Sequence, residues 1–298
     1  MKEFSFKKID AFATEQSDGN PAGYIALNSL TDISEHEMLR IAKEMKGYVN
    51  EVGYVAQVGA RDFDLRYYSS EKEVDFCGHA TIAIMYDIIR SSKDLADTPT
   101  LTINTNKGTL TVFNRIVSEN AVFIMSPVPV FKDLLPDTSE IQRVLGLTNE
   151  GLDKQFPVSI INAGLTTLIV PVKSLNAILS IKPQMEVLKM FCLKNGIEII
   201  EVFTSDVSNK SNKYRTRVFA PIFGYIEDPA TGSGNSALGY YLIENNLWSE
   251  EYISIEQNGL RDNFNVVKLQ KQTDEDYRQR VCFGGVAVTR IEGKYLIH

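Results

Sequence analysis

The residues able to do chemistry gather around two short stretches and one isolated carboxylate. The first stretch, Glu73-Val74-Asp75-Phe76-Cys77-Gly78-His79-Ala80-Thr81, reads as a turn feeding the N-terminus of a helix. It offers a thiol at Cys77, an imidazole at His79 and a glycine at Gly78. The second, Glu227-Asp228-Pro229-Ala230-Thr231-Gly232-Ser233-Gly234, offers the Asp228 carboxylate, the Ser233 hydroxyl and a glycine at Gly232. The first backbone N–H groups of a helix lack intrahelical partners, and the helix dipole favours negative charge there, so each stretch is a place to hold an anion. Glu51 stands at the head of an apolar strand, Tyr48 to Val55. A carboxyl on a rigid strand can take a proton from one carbon and return it to another if burial raises its pKa toward working pH. The negative charge that develops needs fixed donors, which two helix ends, His79 and Ser233 could supply.

Taken singly, each residue has a plain structural reading. Glu51 fits a solvated edge carboxylate, His79 a core or capping group, and Asp228, just before Pro229, an N-cap. Ser233 fits a first-turn residue, Cys77 a small buried thiol, and Gly78, Gly232 and Gly234 tight turns. Repetition weakens these readings together. Glu73 lies five residues before Gly78 and Glu227 five before Gly232. Upstream stand Leu65-Arg66-Tyr67-Tyr68 and Thr216-Arg217-Val218-Phe219, and an apolar helical run follows each glycine. The pattern reads as an internal duplication. Two such helix starts pointing into one cleft would make a shared anion pocket.

The elements that must position these residues follow from periodicity. Ala80 to Ile89 is apolar almost all round, so that helix must be buried on every side. Ser34-x-x-Glu37 is a capping box opening an amphipathic helix over 34–46. Ser139-x-x-Gln142 predicts a helix capped by Ser139 and running to Leu145, and two helical pieces between Ser174 and Asn195 break at Pro183. Strands are expected at 4–13, 24–27, 63–68, 101–113 as a hairpin, 122–125, 156–162, 166–172, 197–203, 213–219, 253–256 and 264–269. The last two are 281–290 and 294–297. Each half is strands, one buried helix, then more strands, which is not βαβα alternation. The fold class expected is α+β: two similar domains, each a curved, barrel-like mixed sheet wrapped around a central helix. The prolines in Ser126-Pro127-Val128-Pro129 place the domain boundary. The N-terminal domain is 1–126, completed by a C-terminal strand at 287–298, and the C-terminal domain is 127–286.

Composition sets the remaining bounds. The chain has 298 residues and a formal net charge of −7, which argues against nucleic acid as the main partner. No run is long and apolar enough to span a membrane, and the start has no apolar signal core. Cys77, Cys192 and Cys282 are scattered, which fits a reduced cytoplasmic protein without a metal centre. The histidines are His36, His79 and His298.

Read together, these residues resemble the phenazine-biosynthesis PhzF-like family, within the diaminopimelate epimerase-like fold. The matching motifs are Asp10-Ala11-Phe12, Gly19-Asn20-Pro21-Ala22, Asn50-Glu51, Arg66 with Glu73 to Thr81, and Arg217 with Glu227 to Ser233, extended by Gln257, Gly259 and Gly284-Gly285. The resemblance implies a cofactor-free isomerase acting on a small carboxylate, and a homodimer. It implies that Glu51 is the general acid/base, with His79 and Asp228 beside it in catalysis. Asn20, Gly78, His79, Gly232 and Ser233 would bind substrate. Related epimerases use two cysteines, but Pro229 and Ala230 stand where a second thiol would be. The other readings are an amino-acid epimerase using Glu51 and Cys77, and a non-catalytic anion-binding protein. Leu260-Arg261-Asp262-Asn263-Phe264 departs from the family's usual Gly-Arg-Pro pattern.

Overall fold

The computed structural model describes residues 2–148 and 151–297. Met1 and His298, the outer ends of the expected segments 1–126 and 287–298, lie outside the described residues. The chain is α+β and divides into two compact units, Met1–Met125 with Gly284–His298, and Ser126–Phe283.

In the first unit the strands run in the order Ala287–Ile297, Lys2–Ala11, Asn20–Leu27, Glu51–Gln57, Asp62–Ser69, Thr100–Thr105, Gly108–Arg115, Ala121–Met125. Successive pairings are antiparallel, antiparallel, parallel, antiparallel, parallel, antiparallel and antiparallel. The central helix Gly78–Ser91 touches strands from both ends of that order, Ala287–Ile297 and Ala121–Met125, so the sheet curls around it. Ala80, Ile82, Ala83, Ile84, Met85 and Ile89 are fully buried, as the apolar run requires. Its one acid, Asp87, is paired: Lys7 Nζ lies 2.9 Å and Tyr24 Oη 2.6 Å from Oδ2. Gly53 lets helix and sheet close on each other, since a Cβ there would stand 2.4 Å from Ile84 Cδ1. On the sheet's other face the helix Glu35–Glu44, opened by the Ser34–Glu37 capping box, packs Met38, Ile41 and Ala42 over Val52, Tyr54 and Tyr68.

The second unit repeats the plan. Its strands run Val130–Lys132, Ser159–Asn162, Thr166–Pro171, Ile199–Thr204, Tyr214–Phe219, Tyr252–Gln257, Asn265–Thr273. From Ser159–Asn162 onward the pairings are antiparallel, parallel, antiparallel, parallel, antiparallel, the same run that starts from Lys2–Ala11 in the first unit. The helix Gly232–Glu244 lies on one face of this sheet. Helices Thr138–Leu145, Leu175–Ser180 and Met185–Asn195 cover the other, over Leu168, Val170, Ile200 and Val202.

Two local expectations are corrected. The helix to Leu145 is capped by Asp137, whose carboxylate accepts from Ser139 N at 2.8 Å, so Ser139 lies inside the first turn. The break in the last strands falls at Val286, not at 291–293. Gly293 pairs with Phe6, and Lys2–Ala11 gives Ala287–Ile297 a partner along its whole length.

Candidate active site

Each central helix is delivered by the same device. A two-residue strand, Glu73–Val74 or Glu227–Asp228, pairs with the strand before it, and the chain then turns into the helix. The repeated arginine and glutamate hold that approach in place. Arg66 Nε donates to Glu73, and Arg217 grips Glu227 in a fork, Nε to Oε1 at 3.0 Å and Nη2 to Oε2 at 2.7 Å. The N-cap residues, Cys77 and Thr231, are extended, and neither side chain caps its own helix. The opening N–H groups are therefore not taken up by the usual capping oxygen.

In the first unit the strand pairing brings Glu51 to this helix start. Glu51 lies between Ala22 and Ser69 in register, and its Oε2 is 3.2 Å from His79 Nε2. His79 Nδ1 is 3.5 Å from Cys77 Sγ. The three ligand atoms of Glu51, Cys77 and His79 lie within 4.8 Å of one another. The backbone beneath is fixed: Thr81 Oγ1 donates to the Cys77 carbonyl at 2.7 Å, and Tyr67 Oη lies 2.6 Å from Thr81 Oγ1. Asn20, almost fully buried, accepts from Asn50 Nδ2 at 3.0 Å, beside Glu51 in the chain. Gly78 is the first residue of the helix and is half-buried.

Electrostatics turns this cluster into an ion pair. Burial pushes the Glu51 carboxyl up, but the adjacent His79 imidazole, with a contribution from Cys77, holds the carboxyl below its ordinary value. The expectation that burial would carry Glu51 toward neutrality is thus reversed by its neighbour. Burial pulls His79 down, yet Cys77 and Glu51 together drive it well above an ordinary imidazole. Burial raises the Cys77 thiol. A neutral thiol exerts little field, so the Glu51 carboxylate is the partner that keeps the proton on His79.

The second helix start carries no such group. Asp228 is buried and accepts from the Thr231 hydroxyl. Gln257 then ties the turn together: Oε1 accepts from Thr231 N at 2.9 Å and from Asn235 Nδ2 at 2.7 Å. Its Nε2 donates to the Asp228 carbonyl and to Thr231 Oγ1, both at 3.0 Å. Asp228 does not cap the helix; Thr231 holds that position. Gly232 is buried, and a Cβ there would meet the Phe283 ring at 2.3 Å, so close packing alone requires this glycine. Ser233 is half-buried in the first turn. Thr231 and Asn235 were not singled out from sequence as site residues, and Gln257 only as part of the family resemblance. A surface cavity of ≈ 390 Å³ in this unit, lined by Lys210, Lys213, Tyr214 and Glu250 among others, includes none of the candidate residues.

A paired acid and imidazole at an uncapped helix start is the equipment of an enzyme that moves protons, and comparison with known proteins places the chain among isomerases. Residues 9–293 match the phenazine biosynthesis-like protein family, PhzC-PhzF, and the chain belongs to that family. An uncharacterised isomerase of Bacillus subtilis, YfhB, is 30% identical over 246 residues, covering 81% of this chain and 82% of its own. The trans-2,3-dihydro-3-hydroxyanthranilate isomerase of Pseudomonas chlororaphis is 26% identical over 238 residues, 78% of each chain. The crystal structure of a PhzF-family protein from Bacillus anthracis superposes with a TM-score of 0.86 at 28% identity, over 100% of both chains. Among the described residues no helix is long and apolar enough to cross a membrane.

Proposed function

We propose that the chain catalyses a cofactor-free proton shift within a small carboxylate-bearing metabolite, with Glu51 as the group that takes the proton and returns it. The observation that carries this is the Glu51–His79 pair, 3.2 Å apart at the start of the central helix. An ionised carboxylate on a strand is ready to accept a proton, and the imidazolium beside it can stabilise charge that appears on the substrate. Gly78 offers helix N–H groups to a substrate carboxylate, and Asn20 an amide. Asp228, Gly232 and Ser233 are proposed as the substrate-binding groups of the second unit. The P. chlororaphis relative, named for an isomerisation of a dihydro-hydroxyanthranilate, supports this class of reaction. A homodimer in the cytoplasm is proposed with it.

Epimerisation by Glu51 and Cys77 is less well served. Two groups working on opposite faces of one carbon, each about 3–3.5 Å from it, must stand about 6–7 Å apart. Here the ligand atoms of the acid, the thiol and the imidazole all lie within 4.8 Å of one another. The test is turnover of candidate carboxylates, found by native mass spectrometry, in deuterated water. Solvent deuterium at a new carbon supports the isomerase. Label at an inverted centre supports the epimerase, and binding without label supports neither.

A further inference from the structure

The same three side chains that form the proton-handling cluster also form a ligand set. We propose that Glu51, Cys77 and His79 bind a borderline-soft divalent cation, Zn²⁺ or Co²⁺, and that metal binding shuts the enzyme off. The sequence shows three cysteines spread over more than two hundred positions and gives no sign of a metal site. Folding gathers one thiol, one imidazole and one carboxylate, the donor types zinc prefers.

The spacing suits the ion. A tetrahedral zinc with ordinary bond lengths sets its sulfur and nitrogen ligands about 3.5 Å apart and its nitrogen and oxygen ligands about 3.4 Å apart. One imidazole nitrogen serves one ion, and from His79 Nε2 the Cys77 Sγ lies 3.9 Å and Glu51 Oε2 3.2 Å away, with the three ligand atoms all within 4.8 Å of one another. Small side-chain rotations suffice, because the backbone of Cys77 is already fixed through Thr81. Charge suits it as well. On binding, the Cys77 thiol and the His79 imidazolium each release a proton to solvent. A thiolate, a neutral imidazole and a carboxylate then balance a dication, and a neutral assembly is the cheapest to bury. The fourth coordination position stays open to water.

That binding would inhibit rests on Glu51 being the base, because a metal on Oε2 takes the lone pair that the proton needs. That the site binds at all does not rest on it, so the two readings fail separately. The probe is Co²⁺ titrated into the purified chain without substrate. The expected result is a thiolate-to-cobalt charge-transfer band with the visible bands of a four-coordinate site, saturating at one ion per chain and bleached by Zn²⁺. The band should vanish in Cys77→Ala, weaken at least tenfold in apparent affinity in His79→Ala, and persist in Cys192→Ala and Cys282→Ala. Circular dichroism should show each variant folded. A band that survives Cys77→Ala, or no band in the wild-type chain, overturns the proposal while leaving the Glu51 mechanism standing. With a substrate in hand, Zn²⁺ should suppress turnover of the wild type at concentrations that leave Cys77→Ala at least tenfold less affected; equal sensitivity would overturn the inhibitory role.

Discussion

The two central helices begin at corresponding places in two sheets of the same pairing plan, and the layer beneath each start is built from different residues. In the first unit Gly53 faces Tyr67 across the sheet, and the Tyr67 hydroxyl reaches Thr81 on the helix. In the second, Glu201 faces Val218, and the helix residue at the matching place is Asn235. Thr81 and Asn235 do the same backbone work, each donating to the carbonyl of its own N-cap residue, Cys77 or Thr231. Above that layer the units part. The first presents groups that gain and lose protons, Glu51, Cys77 and His79. The second presents one carboxylate, Asp228, which accepts from the Thr231 hydroxyl while the Gln257 amide holds its backbone carbonyl. The two units share the mechanics of the helix start, and the cluster of acid, thiol and imidazole stands in the first. Each unit also buries carboxylate oxygen without a hydrogen-bond partner, Glu51 Oε2 in the first and both oxygens of the deeper Glu201 in the second. Asn235 Oδ1 is buried likewise, and burial drives the Glu201 carboxyl well above its ordinary value.

The contrast can be broken most directly at Glu51. Glu51→Gln should lower turnover by about 10²–10⁴-fold, because the change is near-isosteric and deletes the titrating group, and should also lower the thermal midpoint, because His79 loses its charge partner. The wild-type rate should fall on the acid side, as Glu51 takes up a proton below the ordinary carboxylate range. Turnover within a factor of a few of wild type would move the chemistry elsewhere. At Glu201 the effect should be on stability alone. The folded chain keeps this proton and the unfolded chain loses it above about pH 4.3. Wild-type stability should therefore decline by about 1.4 kcal/mol per pH unit from this group until the folded pKa is reached. Glu201→Gln should flatten that decline, read as urea midpoints at pH 5 and pH 8; parallel profiles for the two proteins would show that Glu201 is ionised in the fold.

Smaller effects sharpen the comparison further. Gln257→Ala leaves Thr231 N and Asn235 Nδ2 short of an acceptor and should cost about 1–3 kcal/mol. Since Gln257 holds the Asp228 carbonyl, its loss should raise KM more than it lowers kcat, and an unchanged KM would separate Asp228 from substrate binding. Cys77→Ala should be mildest, with less than a tenfold loss of turnover. A loss as deep as that of Glu51→Gln would make the thiol a partner in proton transfer.

Much of this was legible in the chain. Glu73 with Gly78 and Glu227 with Gly232 announce the two helix starts, and the apolar run from Ala80 to Ile89 requires a sheet to cover it on all sides. The Arg66–Glu73 and Arg217–Glu227 braces explain why those residues recur together. What stayed hidden depends on register. Glu51 reads singly as a solvated edge residue, and the pairing of its strand beside Asp62–Ser69 carries it to His79 and half-buries it. Glu201 sits in a run, Ile199-Ile200-Glu201-Val202-Phe203, where alternation assigns it a face but not what covers that face; a Cβ on Gly234 would lie 2.6 Å from its Oε2. Asp137 is masked as a cap because Ser139 with Gln142 fits the same template two residues later.

The pairing of Lys2–Ala11 with Ala287–Ile297 also sets a schedule. Arg290 donates to Asp10 across 280 residues of chain, so the Lys2–Ala11 strand keeps an open edge until the Ala287–Ile297 strand has been made. Open edges invite pairing with other chains, and distant closures slow folding. Lys2 lies opposite Ile297, so a short linker could join the two strands as a hairpin. A permutant starting at Gly284, with that hairpin made first, should refold faster than the natural order at equal stability; an unchanged rate would mean that the last strand docks only after the slow step is over.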